Sequence, residues 1–245
     1  FTLNQTHTGV VTISDNGTTV NATDITAIET AKGSGNINIT SAVALSGTGE
    51  KLKSAAEALD TIHGSTTATV TDTSYTVAQL KAINDKVGGE ISLTNRGVNL
   101  VGSAADLKDA LAGSFATDKT HTGEVKVTGT YNVSQLKAIN TGTDGALHLD
   151  TRNVALTGSG SDLADALTGN FTADKTHNGV VKVTGNDYTV TDLVTINNGN
   201  GGEINLNDRS VALTGSAANV KSALAGTFTL NQTHTGVVTI SDNGT

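Results

Sequence analysis

The first eighteen residues of the chain return unchanged as its last eighteen. The sequence FTLNQTHTGVVTISDNGT occupies residues 1–18 and again residues 228–245, an offset of 227 residues. Chains that merely converge on one fold share a buried pattern and not their surface residues, so the identity indicates duplication of a longer block. We therefore expect stacked structural units, each packed on its neighbours, and a parent protein that contains many copies of the block.

A shorter period of about 57 residues lies inside the long one, within the range typical of stacked repeats. A His-x-Gly motif marks it, at His7, His63, His121, His177 and His234. A tyrosine and an arginine recur in the later units, at Tyr75, Tyr131, Tyr188, Arg96, Arg152 and Arg209. The predicted units are residues 1–57, 58–114, 115–170 and 171–227, and residues 228–245 start the next copy of the first unit.

Each unit consists of two similar halves. In the third unit, residues 125–140 (VKVTGTYNVSQLKAIN) and 154–169 (VALTGSGSDLADALTG) both contain a β-branched run, a Thr-Gly turn and a short amphipathic segment. This order predicts a strand, a turn and a helix in each half. A second apolar-alternating stretch precedes each half, at residues 115–121 and 146–152.

Cap residues mark the ends of the predicted helices. Capping boxes start one set, at Thr76 with Gln79, Asn132 with Gln135, and Thr189 with Asp192. Serines start the other set, at Ser103, Ser159 and Ser216. The helices are expected to end at residues that tolerate a left-handed conformation, namely Asn84, Asn140, Asn197, Gly113, Gly169 and Gly226. Apolar stripes between the caps contain Val77, Leu80, Ile83, Leu107 and Leu111.

These patterns predict a β-rich solenoid with short helices, in which parallel strands stack along a rod. Neighbouring strands lie about 4.8 Å apart, whereas packed helices need about 8–10 Å. A helix beside every strand on one face would curve the stack. We therefore expect helices alternately on opposite faces of a straight or gently twisted rod.

The composition excludes several functions. The chain contains no Pro, Cys, Met or Trp, and 28 Gly. Without cysteine it has no disulfide, thiolate metal site or thiol nucleophile. Its net charge of −8 argues against nucleic acid as a partner, and no apolar run reaches the roughly 18 residues of a membrane span. The expected partners are further copies of the repeat, in the same chain or in neighbouring subunits, and possible glycan or cell-surface targets.

The repeated histidines are the strongest candidates for a site. A metal ion needs several imidazoles within about 2 Å, but one histidine per pair of stacked strands places neighbours about 10 Å apart. We interpret all five as turn residues that cap a strand next to glycine. His148, outside this spacing, is predicted to be a solvent-facing strand residue. The repeated arginines are expected to form surface ion pairs or to contact backbone carbonyls.

Ser134 and Lys137 have the spacing of a Ser-Lys nucleophile pair. The residues equivalent to Ser134 in two other units are Ala78 and Thr191, so a helix surface explains the pair better. We predict no catalytic residue, no cofactor and no enzyme activity.

The acidic residues are interpreted in the same way. The pairs Asp106/Asp109 and Asp162/Asp165 fit the first turns of exposed helices, where a carboxylate favours the helix dipole. Turns at residues 14–17 and 185–187 contain the oxygen ligands that Ca²⁺ prefers, but a type I turn uses the same residue types. We therefore predict no metal site and keep calcium as an alternative.

The segments TVAQLKAIN, TVTDLVTIN and GSAADLKDALAG resemble tandem modules of very long surface proteins of Gram-negative bacteria, cyanobacteria among them. The resemblance extends over the whole chain. It implies export, a location outside the cell or at its surface, and a mechanical or adhesive role. It implies no catalytic residues.

We therefore expect a structural repeat segment that serves as shaft, spacer or surface coat of a long extracellular fibre or giant cell-surface protein. One alternative is an adhesive module whose Thr- and Asn-lined faces bind glycan or another surface. The Thr-x-Thr pattern that would favour it occurs at Thr6 and Thr120 but becomes Thr176-x-Asn178. A second alternative is a polysaccharide-acting enzyme on a solenoid scaffold, which needs a charged cluster in one departing unit. The first unit departs most and contains no such cluster.

Overall fold

The structure, a computed structural model, describes residues 7–116, 121–172, 176–230 and 233–242. The start of the first predicted unit, Thr6 and Thr120 of the threonine pattern, and the end of the duplicated segment lie outside these ranges. The chain folds as two compact lobes. The first lobe comprises residues 1–100 with 109–123, and the second comprises residues 101–108 with 124–245.

Eight helices lie within the described residues, and each has eight or ten residues. They are α1 (Ala22–Ala31), α2 (Gly49–Ala58), α3 (Val77–Lys86), α4 (Ala104–Leu111), α5 (Val133–Gly142), α6 (Gly160–Leu167), α7 (Val190–Gly199) and α8 (Ala217–Leu224).

The strands are three or four residues long. They are β1 (Val11–Ile13), β2 (Thr19–Asn21), β3 (Ile37–Ile39), β4 (Ala44–Gly47), β5 (Thr67–Val70), β6 (Ile91–Leu93), β7 (Leu100–Ser103), β8 (Val125–Thr128), β9 (Leu147–Leu149), β10 (Leu156–Gly158), β11 (Val181–Val183), β12 (Ile204–Leu206), β13 (Leu213–Gly215) and β14 (Val238–Ile240).

From β5 to α8 the elements follow the order β-α-β-β-α three times. One such set falls within each of the predicted units 58–114, 115–170 and 171–227. The fold is therefore α/β, with short parallel strands in small sheets and a helix after most of them. The expectation of a β-rich chain is wrong, because within the described residues the helices contain more residues than the strands.

Strand pairing is parallel in both lobes. The first lobe contains the sheet β2-β4-β5-β6 and the pair β1-β3. The second contains the sheet β10-β11-β12 and the pairs β8-β9 and β13-β14. Val181 of β11 lies opposite Leu156 of β10 on one side and Ile204 of β12 on the other. The chain thus returns to the same sheet after 23 or 25 residues, which is about one helix and its connections.

Each strand places alternate side chains in the core, as a period of two requires. In β11, Val181 and Val183 are fully buried and Lys182 between them is exposed. Leu193 and Ile196 of α7 are fully buried as well. Burial of a side chain of this size stabilises the fold by about 1.5–3 kcal/mol. The core is thin, and its stability is the sum of many such contributions.

Consecutive helices pack against each other. In the first lobe α1 contacts α2 and α2 contacts α3; in the second lobe α5, α6, α7 and α8 contact one another in sequence. Within each lobe the helices therefore form one row, and the expected alternation between opposite faces is wrong. Each β-α-β-β-α set contains three strands and two helices. Since strands stack more closely than helices pack, three strands and two helices need more nearly the same length along the stack.

The predicted helix starts are confirmed. Full capping boxes form at the starts of α3, α5 and α7. Ser159 and Ser216 accept hydrogen bonds from the amides of Asp162 and Asn219, and Ser103 accepts one from the Asp106 amide at 3.2 Å. These caps lie within four residues of one another, which is why local sequence predicts them. The apolar stripes are confirmed too, since Val77, Leu80, Ile83, Leu107 and Leu111 are all buried.

The prediction that Asn and Gly residues end the helices by adopting a left-handed conformation is wrong. Asn84, Asn140 and Asn197 lie inside α3, α5 and α7 and do not end them. Each donates its side-chain amide to a backbone carbonyl near the end of the next helix, namely Asp109, Asp165 and Ser222. Gly113, Gly169 and Gly226 follow the shorter helices, but among the described glycines positive φ occurs at Gly17, Gly129 and Gly185.

Close approach, and not backbone freedom, explains the glycine after each eight-residue helix. A Cβ at Gly169 would lie 2.7 Å from Asn140 Oδ1 and 2.6 Å from Leu147 Cδ1. A Cβ at Gly226 would meet Asn197 Oδ1 at 2.8 Å and Ile204 Cδ1 at 2.9 Å. The glycine therefore makes room for the asparagine of the preceding helix, and the two residues form one recurring contact.

Candidate functional site

Three of the repeated polar positions meet in the second lobe, around His177. The ring of His177 is fully buried, and its Nε2 lies 2.7 Å from the Val154 carbonyl oxygen. Its Nδ1 lies 2.8 Å from Asn200 Oδ1, and Tyr131 packs edge-on with ring centroids 6.1 Å apart. Arg152 donates from Nε to the carbonyl of Thr176, directly before the histidine, at 2.7 Å.

The first lobe contains a similar contact around His121. This ring is also fully buried, its Nε2 lies 2.6 Å from the Val98 carbonyl oxygen, and Tyr75 packs edge-on at 6.4 Å. His234 repeats the carbonyl contact, with Nε2 2.6 Å from the Val211 oxygen. His7 and His63 are exposed. Sequence reasoning identified all five positions but missed the burial of two of them, because the covering chain comes from other turns.

Burial determines the chemistry of these groups. It lowers the pKa of His121 and of His177, because the charged ring is poorly solvated in the core. Burial therefore favours the neutral form of both rings. In His121 the proton lies on Nε2, which faces the Val98 carbonyl oxygen. In His177 both ring nitrogens face oxygen atoms, and a neutral ring can donate to only one of them. Burial likewise raises the pKa of Tyr75 and Tyr131, and raises that of Tyr188 to about 12. None of these five groups is prepared for acid or base chemistry near neutral pH.

Two of the three repeated arginines, Arg152 and Arg209, contact carbonyls, which is one of the two expectations. Arg209 donates from Nε to Thr233 O at 2.7 Å, in the same way as Arg152. A planar guanidinium suits this position because it can bridge consecutive turns of backbone. The contact links one turn of the chain to the next and is structural in kind.

Lys137 does not have the environment of a catalytic lysine. Its Nζ lies 2.8 Å from both Asp162 and Asp165 of the next helix. Hydrogen bonds to Asp162 and then Asp165 raise the pKa of Lys137, whereas a lysine that activates a serine needs a lowered one. Ser134 lines the groove beside it with Asn132 and Thr157. Lys81 and Asp109 pair in the same way in the first lobe, so these acids connect helices in addition to favouring the helix dipole.

His148 differs from the expectation. It lies in β9, as predicted, but its side chain is only 17% exposed and its Nδ1 lies 3.5 Å from Glu124 Oε1. It is therefore not a solvent-facing residue.

The calcium alternative gains no cluster of ligands from the described part of the chain. Within those residues, no group of three or more His, Cys, Asp or Glu side chains could hold a metal ion. Gly17 and Gly185 in the two candidate turns have φ of 72° and 89°, which is the conformation that such turns need from glycine.

One groove of the second lobe has the residue types of the adhesive alternative. It is lined by hydroxyl, amide and aromatic side chains, among them Thr168, Asn170, Phe171, Thr195 and Asn198. Such a mixture of polar groups and one ring is suited to a small polar ligand.

Comparisons with protein-family models, curated protein sequences and solved structures give no match to the chain. Among the helices of the described residues, the longest is far too short and too polar to cross a lipid bilayer.

Proposed function

We propose that the chain is a structural repeat segment, organised as an α/β solenoid of units of about 57 residues. It serves as shaft, spacer or surface coat of a long extracellular fibre or giant cell-surface protein. The observation that carries this proposal is the recurrence of parallel strand pairing at displacements of 23 to 26 residues in both lobes. A chain that pairs with itself at a nearly constant displacement can be lengthened by adding further units of the same kind.

The use of the polar groups supports the same proposal. The buried histidines donate to carbonyls one turn earlier, the asparagines donate to carbonyls one helix later, and the lysines pair with acids of the next helix. Each of these contacts joins a turn of the chain to its neighbour. A catalytic site instead needs polar groups whose hydrogen-bonding capacity is directed at a substrate.

The test is the size and location of the native protein. We expect mass analysis under denaturing conditions to find one very large chain, and a peptide map to recover FTLNQTHTGVVTISDNGT in many copies. If the segment lies outside the cell, as we propose, protease treatment of intact cells should release these peptides. A single copy of the peptide, in a chain that only cell lysis releases, would overturn the proposal.

The groove at Phe171 supports one second candidate function, the binding of a saccharide. The backbone of Phe171 forms a parallel bridge with Leu147, and amide and hydroxyl side chains line the same groove. Phe115 occupies the equivalent position beside Ile91 and serves as the matched control. On a glycan array, Phe171→Ala should abolish binding and Phe115→Ala should retain it. Equal loss in both variants, or no binding by the unaltered chain, excludes this groove.

A further inference from the structure

Asparagine precedes glycine at four places within the described residues, namely Asn16, Asn178, Asn198 and Asn200. At such a pair the backbone nitrogen of the glycine can attack the asparagine Cγ, because glycine has no side chain to hinder the approach. The attack needs a glycine amide that is free to move and an asparagine side chain that is free to turn toward it. The structure divides the four pairs by these two requirements.

Two of the pairs have exposed asparagines and restrained glycine amides. The Gly17 amide donates to the Ala42 carbonyl at 2.8 Å. Asn198 and Gly199 are the last two residues of α7, where the backbone is helical. A rotation toward the asparagine side chain would break the hydrogen bond of the first pair and the last helical turn of the second.

The pair that begins at Asn200 is restrained in both groups. Asn200 is 5% exposed, and its Oδ1 lies 2.8 Å from His177 Nδ1. The same Oδ1 accepts from the Gly202 amide at 3.1 Å, and Nδ2 donates to the Gly202 carbonyl at 3.0 Å. The Gly201 amide donates to the His177 carbonyl at 3.0 Å. Neither reacting group can move without loss of these contacts.

The side chain of Asn178 is free by comparison. The residue is exposed, and its side-chain amide forms no hydrogen bond to any residue that the structure describes. Its Oδ1 lies beside the next turn of the chain, where a Cβ at Gly201 would be 3.0 Å away. Because Gly201 has no side chain, this space stays open and the Asn178 side chain can rotate.

The amide of Gly179 differs from those at the equivalent turns. Gly123 donates its amide to the Arg96 carbonyl at 3.0 Å, and Gly236 repeats this bond at 2.9 Å. At the turn of Asn178, the Arg152 carbonyl accepts from the Asn178 amide at 2.7 Å. The Gly179 amide has no acceptor among the described residues. Both requirements for the attack are therefore met at this pair.

We propose that Asn178 is a site of spontaneous covalent modification, in which it is converted to aspartate and isoaspartate. The Gly179 amide loses its proton to a base in the solvent, and its nitrogen forms a bond to Asn178 Cγ. The bond from Cγ to the side-chain nitrogen breaks, and ammonia leaves. The five-membered succinimide then takes up a water molecule. Opening at the side-chain carbonyl gives aspartate, and opening at the backbone carbonyl gives isoaspartate.

The modification changes a turn that closes around one carbonyl oxygen. His177 Nε2 lies 2.7 Å from the Val154 oxygen, and a Cβ at Gly179 would lie 2.2 Å from the same oxygen. Asn178 joins these two residues. Isoaspartate adds a methylene group to the backbone between them, so both cannot keep their places. We expect the turn at His177 to loosen as the protein ages.

The test compares the four pairs in one molecule. The full chain is incubated at mildly alkaline pH, folded or in guanidinium chloride, and peptide mapping measures asparagine, aspartate and isoaspartate at each pair. In the folded chain Asn178 should react at least about tenfold faster than Asn16, Asn198 and Asn200, since their restraints raise the barrier. In guanidinium chloride the four rates should be similar, because the dipeptide is the same.

Two variants separate the cause. Thr122→Asn creates an Asn-Gly pair at the equivalent turn, where the Gly123 amide is held by the Arg96 carbonyl. This new pair should react about two- to tenfold more slowly than Asn178. Asn178→Thr restores the residue type of the other units and removes the site. After incubation, the unaltered chain should unfold at a lower temperature than Asn178→Thr.

Three results would overturn the proposal. They are equal rates at Asn16 and Asn178 in the folded chain, an Asn178 that persists in the folded chain while all four pairs react in guanidinium chloride, and a Thr122→Asn pair that reacts as fast as Asn178. If Thr122→Asn does not fold, Thr235→Asn gives the same comparison, because the Gly236 amide is held in the same way.

Discussion

The glycine after each eight-residue helix and the asparagine of the preceding helix form a contact that neither residue suggests alone. Asn140 donates to Asp165 O at 2.9 Å, and Gly169 leaves room for the same side chain. Asn84 with Gly113 and Asn197 with Gly226 repeat the arrangement. Asn and Gly at these positions resemble helix-stop signals. Their role in the structure is to let one helix form a hydrogen bond with the next.

Replacement of Gly169 by alanine tests this contact. The added methyl group would lie within 3 Å of Leu147 and of Asn140, so we expect Gly169→Ala to lower the free energy of unfolding by about 1–3 kcal/mol. Gly64→Ala is the control, because a Cβ there meets no atom within 4 Å. It should be neutral or slightly stabilising. Urea unfolding measures both, and equal effects would contradict the close-approach explanation.

The buried histidines make stability depend on pH. The unfolded chain binds a proton at His177 near the ordinary pKa of 6.5, whereas burial holds the folded pKa lower. Between the two values the unfolded state binds more protons. The contribution of His177 to stability is therefore present above pH 6.5 and is lost as pH falls through the folded pKa.

We expect thermal unfolding temperatures to decrease from pH 7 to pH 5, and His177→Gln to weaken that decrease. Near pH 7 the same variant should cost about 1–3 kcal/mol, since it disturbs a buried hydrogen bond. The control is His7→Gln, at an exposed ring, which should leave the stability near pH 7 unchanged. An unchanged pH profile in His177→Gln would refute the assignment. The destabilisation expected for His177→Gln near pH 7 is also larger than that expected for an exposed histidine in a turn.

The extent to which the sequence predicts these residues follows from distance along the chain. The capping boxes at Thr76, Asn132 and Thr189 are correct because each involves residues three apart. The Asn140 contact and the His177 contact join residues 25 and 23 apart, and their residue types have common local explanations. Exposure was predicted wrongly for His148, whose side chain lies beside Glu124, 24 residues earlier in the chain.

Among the elements, β11 explains why the strands can be so short. It pairs on both sides with strands of its own length, and both of its inward valines are fully buried. Helices of eight or ten residues are marginal alone and persist by packing on their neighbours. The helix and strand types could be predicted from periodicity and caps. The single row of helices could not, because periodicity gives the buried face of a helix and not the partner that covers it.

Leu136 of α5 tests whether the row of helices forms the core. The side chain is fully buried. We expect Leu136→Ala to destabilise the chain by about 2–5 kcal/mol through lost burial and the cavity left behind. Val180→Ala is the control, since Val180 is 43% exposed and should change stability by less than about 0.5 kcal/mol. Denaturant unfolding that ranks the two in the opposite order would exclude Leu136 from the core.

For the entire chain, the number of units needed for a stable fold depends on two quantities. They are the conformational entropy lost on folding and the apolar surface that is buried. A 57-residue unit would bury too little apolar surface to offset the entropy of ordering it, because small domains are marginal even when globular. Its apolar stripes, at Leu136 and Ile139 or at Leu163 and Leu167, are buried only when neighbouring turns cover them. Stability is therefore expected to belong to the series of units and not to each one.

Unfolding of chains of different length measures this dependence directly. In a one-dimensional array each added unit brings its own stability and one more interface, so we expect thermal and urea midpoints to rise from one unit to two and to four. EDTA should leave all of them unchanged, because the polar groups that join the turns bind backbone and side-chain atoms of the chain itself. A lone unit that melts as high as four would contradict the array, and collapse in EDTA would reinstate calcium at the Asp-containing turns.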